Sequence, residues 1–225
     1  MASLDDVSAR LAARRPRRIR LGRVVAQSAV AVVLRDRGRR GLEALLVRRA
    51  QRQGDPWSGH MAFPGGRRQT EDRDLRATAC RELLEETGLD IGSAGATLPT
   101  GLGDLMTRAH EKPVPMLVRP FPFRLVASPP ILSLSAELTE ALWAPLDFFA
   151  DPANLVPMSW RFAGTDWTLP SYELEGRRVW GLTLMILSEL LLVSHGIQPP
   201  PFPGLEPLER LWRRRPGRAA GIAKD

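Results

Sequence analysis

Glu82, Glu85 and Glu86 are the residues whose type and spacing first suggest chemistry. On a helix, positions i, i+3 and i+4 are neighbours, so these three carboxylates would crowd one narrow face. A cation relieves their repulsion. Hard carboxylate oxygens suit Mg²⁺ or Mn²⁺, and such ions commonly also bind the phosphates of a substrate. An isolated E-x-x-E-E is as readily a solvated acidic face. Its surroundings favour a site: Gly65-Gly66 would let backbone approach a ligand or metal closely, and Arg81 could fix a glutamate rotamer through a two-point guanidinium contact.

The element that must hold these groups runs from Asp74 to Thr87, which contains good helix formers and no Pro or Gly; Gly88 supplies the stop. Helical spacing places Ala77, Cys80, Leu83 and Leu84 toward a core and the glutamates toward solvent.

Arg81-Glu82-Leu83-Leu84-Glu85-Glu86-Thr87-Gly88-Leu89 resembles the second half of the Nudix box, the signature of the Nudix hydrolases. The first half departs from that pattern. Counting back from Arg81, the box Gly falls on Arg67 and its Glu on Arg73. Anchoring on Gly66 instead puts Asp72 after five residues, then eight residues before Arg81, as if the loop held one extra residue. The coenzyme A diphosphatase branch of the family resembles this chain in that lengthened spacing after Phe63-Pro64-Gly65-Gly66. Two later segments carry the same resemblance: Glu137 to Leu146, which follows E-x-x-E-hydrophobic-x-W-x-P-L, and Trp180-Gly181-Leu182-Thr183. A departure stands at Trp57, where that branch usually has His; His60 is a different histidine, read as a satisfied strand-end residue.

The resemblance implies an α/β fold, a Nudix-type α/β/α sandwich with a mixed β-sheet. It implies metal-dependent hydrolysis of a pyrophosphate bond, with Gly66, Glu82, Glu85 and Glu86 holding Mg²⁺ or Mn²⁺. Glu85, Glu86, Arg81 and Glu140 would be the catalytic group, Glu137 being the other acid considered beside Glu140. Arg48, Arg49, Trp57, Arg67 and Arg68 would contact substrate. The expected substrate is coenzyme A or acyl-CoA, giving 3′,5′-ADP and (acyl)phosphopantetheine. The alternatives are ADP-ribose, NADH or another dinucleotide; outside enzymes, a nucleic-acid-binding module or an inactive Nudix scaffold.

The rest of the chain sets the frame. Its 225 residues suit one domain with tails: a helix and basic entry segment over 1–22, the hydrolase domain over 23–197, and a mobile basic, Pro-rich tail over 198–225. Residues 3–14 read as a helix capped by Ser3, and Arg14 to Arg18 as a solvated basic run. Val24–Leu34 and Leu42–Val47 read as a hairpin. His60–Phe63, Leu98–Met106, Met158–Phe162 and Trp167–Tyr172 read as further strands. Val114–Val126 is extended, and its prolines suggest an edge or a bulge. A last helix is expected from Val179 to about Ser194.

The net charge of +7 is nearly all arginine, with Lys112 and Lys224 the two lysines. That balance permits polyanion binding, but no aromatic-basic alternation or recognition motif accompanies it, so no specific nucleic acid is expected. Cys80 is the sole cysteine, which excludes an intrachain disulfide and fits a reducing, cytoplasmic setting. The most apolar stretch, Leu182 to Val193, contains Glu189 and is too short to span a bilayer, so no membrane partner is expected. A small-molecule nucleotide is the expected partner, and a homodimer is left open.

Overall fold

The computed structural model describes residues 3–19, 26–51, 58–108, 115–126, 131–162 and 165–198. In chain order the elements are α1 (Leu4–Ala12), β1 (Ala26–Asp36), β2 (Leu42–Arg49), β3 (Met61–Ala62), β4 (Gly65–Arg67), α2 (Leu75–Thr87), α3 (Ile91–Ala94), β5 (Gly95–Thr97), β6 (Leu105–Arg108), β7 (Pro115–Leu125), β8 (Leu138–Pro145), α4 (Leu146–Ala150), β9 (Leu155–Phe162), β10 (Thr165–Leu174), β11 (Arg177–Trp180) and α5 (Gly181–His195).

Strand β1 explains the layering. Its side chains alternate between two faces, as a strand dictates. Ala29, Ala31 and Val33 enter one core with Leu75, Ala79 and Leu83 of α2. Val30, Val32 and Leu34 enter the other with Leu4, Val7 and Leu11 of α1 and Leu184, Leu187 and Leu191 of α5. The small alanines let α2 lie close, and the bulkier valines fill the space under two helices. Helices thus cover both faces of a mixed sheet, the expected α/β/α sandwich. Its path runs β3-β2-β1-β7-β5, with β4 on β1, β6 on β7 and β8 on β2; β1 and β7 are parallel. A separate antiparallel sheet, β11-β10-β9, was not anticipated as a unit.

Along its other edge β1 has two successive antiparallel partners. β2 pairs with its far end, from Leu34 to Asp36, and β4 pairs with Ser28 to Val30. The hairpin therefore splays, and Gly65-Gly66-Arg67 occupies the wedge as a strand rather than as a loop.

Four further expectations change. The strand sought at Leu98–Met106 is confined to β6, because the preceding segment is drawn out of the sheet by its own contacts: Gly101 lies against the Pro120 carbonyl and Gly103 donates to Glu189 at 2.8 Å. Strand β7 is internal, between β1 and the β5/β6 pair, despite its prolines. Pro120 and Pro122 fall where neither β5 nor β6 pairs, and the Pro122 carbonyl there accepts from Leu98 N–H at 3.1 Å. A missing N–H costs nothing in such a gap. Val179 and Trp180 close β11, and α5 starts one residue later.

The fourth change concerns the basic run, which is stapled to the domain rather than solvated. Asp104, with a fully buried side chain, accepts from Arg18 Nη1 at 3.1 Å, Ile19 N–H at 2.9 Å and Arg119 Nε and Nη2 at 2.6 and 2.8 Å; Arg14 meets Glu189 at 3.3 Å. A buried carboxylate needs such partners, and the entry segment supplies them.

Among the described residues no helix is long and apolar enough to cross a membrane. The loops expected at 110–113 and 128–130, Trp57, and the tail from residue 199 lie outside the described residues.

Candidate active site

Asp74 starts α2 by accepting the Ala77 N–H at 2.8 Å, and Gly88 ends it in the left-handed region at φ 71°. The core stripe is Leu75, Ala79 and Leu83, four residues apart. Leu84, expected inside, is 47% exposed, and Ala77 and Cys80 are only partly covered. The helix is turned relative to the expected face because it packs on β4 as well as β1, which draws the acidic side partly inward.

That turn separates the three glutamates. Glu86 is 7% exposed, and its Oε2 accepts the Gly65 N–H at 2.9 Å. Burial pushes its carboxyl up to about 7, against the Gly65 hydrogen bond; Glu82 and Glu137 raise it further, and Arg49 lowers it. Glu82 is partly buried, and desolvation raises it too, with Arg81 opposing. Its carboxylate lies over Gly66, where an added Cβ would come within 2.5 Å of its Cδ and Oε1. Glu85 remains outside, its side chain 55% exposed. The expected solvent-facing row therefore holds for Glu85 and fails for Glu86. The Gly66 carbonyl accepts from Ser28 Oγ at 2.5 Å.

Arg81 ties the helix to the preceding loop. Nε and Nη2 reach Oδ1 and Oδ2 of Asp72, each at 3.0 Å. Nη1 lies 2.9 Å from both Glu82 Oε1 and Glu85 Oε2, and Nη2 donates to the Arg67 carbonyl at 3.1 Å. Asp72 also accepts from Thr78 Oγ1 and Gln69 N–H, both at 2.9 Å. Arg81 foremost, despite desolvation, holds the Asp72 carboxyl well below the usual carboxylate range. In the sequence Asp72 stands out only by its spacing; its pairing with Arg81 fits the loop's extra residue, since it is Asp72 and not Arg73 that faces the helix.

The second wall comes from the ends of β2 and β8. Ser133 N–H and Ser135 N–H donate to the carbonyls of Thr87 and Glu86, at 2.9 and 3.0 Å, and Ala50 N–H donates to the Glu137 carbonyl at 2.8 Å. Segment 133–137 is thereby bolted to the end of α2 and to β2, which puts the Glu137 charge within reach of Glu86. No sequence signal distinguished Glu137 from Glu140. Glu140 stands opposite Arg48 in the β2–β8 register and accepts from Nε and Nη2 of Arg177, the former at 2.7 Å; that contact lowers its carboxyl.

Arg49 bears on Glu86 by charge, whereas Arg48 Nε donates to the Gly59 carbonyl at 3.3 Å. Arg67 is exposed at the end of β4. Arg68 is used internally, donating to Gln27 Oε1 and to the carbonyls of Asp72 and Arg73 at 3.1 to 3.3 Å. His60 packs edge-on against Trp180, with centroids 5.0 Å apart.

The donor set suits a hard divalent cation: two desolvated carboxylates beside a tight glycine strand, with Glu85 at the rim. Both raised carboxyls would gain from a positive charge. Among the described residues no three acidic, His or Cys side chains are already gathered as a cage. Arg81 instead holds Glu82 and Glu85.

A family model described as NUDIX domain matches residues 25–160. The chain is 30% identical over 167 residues to the mouse protein named mitochondrial coenzyme A diphosphatase NUDT8, covering 72% of this chain and 76% of that one. It is 37% identical over 103 residues to the uncharacterized protein C14C4.10c of Schizosaccharomyces pombe, covering 45% of this chain; the match spans 31% of the length of that relative. A solved structure of Ap4A hydrolase from C. elegans, a binary complex, aligns with TM-score 0.43 and 23% identity over 55% of this chain and 82% of that one.

Proposed function

Because the chain belongs to the NUDIX family, we propose that it is a metal-dependent pyrophosphohydrolase whose substrate is coenzyme A or an acyl derivative. The reaction adds water across the diphosphate and releases 3′,5′-ADP and (acyl)phosphopantetheine. The observation that carries the hydrolase reading is the pair of desolvated glutamates, Glu82 and Glu86, set against Gly65-Gly66 and aimed by Arg81.

Glu82, Glu86 and Glu85 would hold the cation, Mg²⁺ or Mn²⁺, with the Gly66 carbonyl adjoining. When bound, such an ion neutralises pyrophosphate charge and polarises the phosphoryl group under attack. Arg81 keeps the Glu82 rotamer fixed while Asp72 keeps Arg81 fixed. Glu137 is the carboxylate we assign to accept the proton of the attacking water, because segment 133–137 is held against the end of α2 beside Glu86. Glu140 ties β8 to β11 through Arg177. Arg49 and Arg67 contact substrate phosphates.

Coenzyme A is favoured by the lengthened loop with Asp72, by the Glu137–Leu146 and Trp180–Thr183 segments, and by the name of the mouse relative. The competing reading, ADP-ribose or NADH, rests on Trp57. The test is a screen of coenzyme A, dephospho-coenzyme A, ADP-ribose, NADH and diadenosine polyphosphates with Mg²⁺ or Mn²⁺, with products identified. Coenzyme A should show the highest kcat/KM, and its lead over dephospho-coenzyme A should shrink with salt as the 3′-phosphate is screened. A higher kcat/KM for ADP-ribose overturns the substrate; no hydrolysis of any of them overturns the hydrolase.

A further inference from the structure

We propose that Trp160, backed by Trp180 and His60, forms the stacking surface for the nucleobase of the substrate, an inference that rests on the pyrophosphohydrolase reading. The register of the small sheet comes first. β9 and β10 pair Trp160 with Trp167 and Val156 with Ser171, while β10 and β11 pair Ser171 with Trp180. Side chains alternate along a strand. Val156, Met158, Trp160, Trp167, Leu169 and Trp180 therefore share one face. Tyr172, Leu174 and Val179 turn the opposite way and are buried in the core. That face keeps its large apolar groups only partly covered, although Ser171 between Val156 and Trp180 is fully buried, and Trp160 is 36% exposed.

The rings form a row that ends at His60, whose backbone is paired with that of Arg49. Trp160 meets Trp180 at 5.6 Å between centroids, and Trp180 meets His60 at 5.0 Å, both edge-to-face. The His60 carbonyl accepts the Arg49 N–H at 3.1 Å, and the Arg49 charge bears on Glu86. Thr183 Oγ1 donates to the Met61 carbonyl at 2.9 Å, fixing the start of α5, just after Trp180, to β3. A nucleotide with its diphosphate against Glu82, Glu86 and Arg49 would extend its base along this row.

Aromatic rings select a planar base in general and read no particular base edge, since every base offers a π-face. Trp180 lies beyond the stretch that the family model matches, and Trp160 is that stretch's last residue. The surface thus straddles the boundary of the matched stretch, with His60 and Trp160 inside it and Trp180 beyond it.

The test measures equilibrium binding of ADP and of inorganic pyrophosphate to the full chain in Mg²⁺, for wild type, Trp160→Ala, Trp160→Leu and Trp160→Phe. Trp160→Leu keeps apolar bulk without a π-face, so it reports on stacking even if the alanine variant fails to fold. Trp160→Ala and Trp160→Leu should each weaken ADP about tenfold, leave pyrophosphate affinity unchanged, and raise the KM of nucleotide substrates with kcat held. Trp160→Phe should recover most of the loss. Unchanged ADP affinity, equal loss for ADP and pyrophosphate, or a loss that tracks dissociation of a dimer in sedimentation would each overturn the proposal. Hydrolysis by the wild type alongside any of these patterns leaves the pyrophosphohydrolase reading standing. A wild type that hydrolyses no nucleotide diphosphate sinks that reading separately.

Discussion

The guanidinium of Arg81 grips the carboxylate of Asp72 at two points, both 3.0 Å, from nine positions along the chain. Every other contact of Arg81 depends on that grip: Glu82, Glu85 and the Arg67 carbonyl are reached by the same plane of nitrogens. Asp72→Asn should therefore destabilise by ~2 kcal/mol, the range for a hydrogen bond to a charged group, and should also lower kcat by letting Glu82 wander. The pH sign follows from its depressed carboxyl. The stability that Asp72 contributes is present above its unfolded value of about 4 and is lost as pH falls through the folded value. Urea titrations between neutral and acid pH check this; the variant should show a flatter profile than wild type.

Glu86 has the opposite sign. Its folded carboxyl sits at about 7, above the unfolded value. The native state therefore binds more protons, and stability falls as pH rises from the unfolded value through 7. In chelator, Glu86→Gln should be more stable than wild type at pH 8, by on the order of 3 kcal/mol at most, and nearly equal to it at pH 4. With metal restored, its kcat should be lower by ~10²-fold, as for loss of one preorganised electrostatic group. Near-normal kcat at saturating metal would refute the assignment.

Adjacent glycines should fail differently. A Cβ on Gly65 would lie 2.6 Å from Val30 Cα, a backbone atom of β1, so Gly65→Ala should cost stability outright. A Cβ on Gly66 meets the end of the Glu82 side chain instead, which can swing away. Gly66→Ala should melt close to wild type yet lose most of its turnover. Thermal melts paired with initial rates decide it; a collapsed melt with Gly66→Ala contradicts the expectation.

Glu137 and Glu140 can be told apart by rate. Glu137→Gln should lower kcat ~10²-fold or more, within the range for loss of a general base, with little change in melting. Glu140→Gln should act mainly on stability, through Arg177. A larger kcat loss for Glu140→Gln would return that residue to the catalytic group.

Metal dependence is the broadest check. Turnover should vanish in excess chelator and return with Mg²⁺ or Mn²⁺, and added metal should raise the melting temperature of wild type more than that of Glu86→Gln. Full activity in chelator would contradict the proposed site.

The sequence by itself determined what local rules can decide. Helix α2, with its Asp74 cap and its Gly88 stop, is written in propensity and capping. The glutamate spacing is written in helical geometry, and the α/β class follows from the family resemblance that the box carries. What only the tertiary structure decided depends on which surfaces meet. The rotation of α2 was settled by β4 wedging between the splayed strands β1 and β2, which buried Glu86 and left Leu84 outside. Where Glu137 lies relative to Glu86 was decided by two backbone hydrogen bonds from Ser133 and Ser135 to the end of a helix some 50 positions earlier. The prolines of β7 read locally as an edge, and they fit inside the sheet because β5 and β6 leave a gap opposite them. Charge, period and capping act over a few residues. Desolvation, register and the pairing of distant carbonyls are properties of the packed chain, and they set the chemistry of this site.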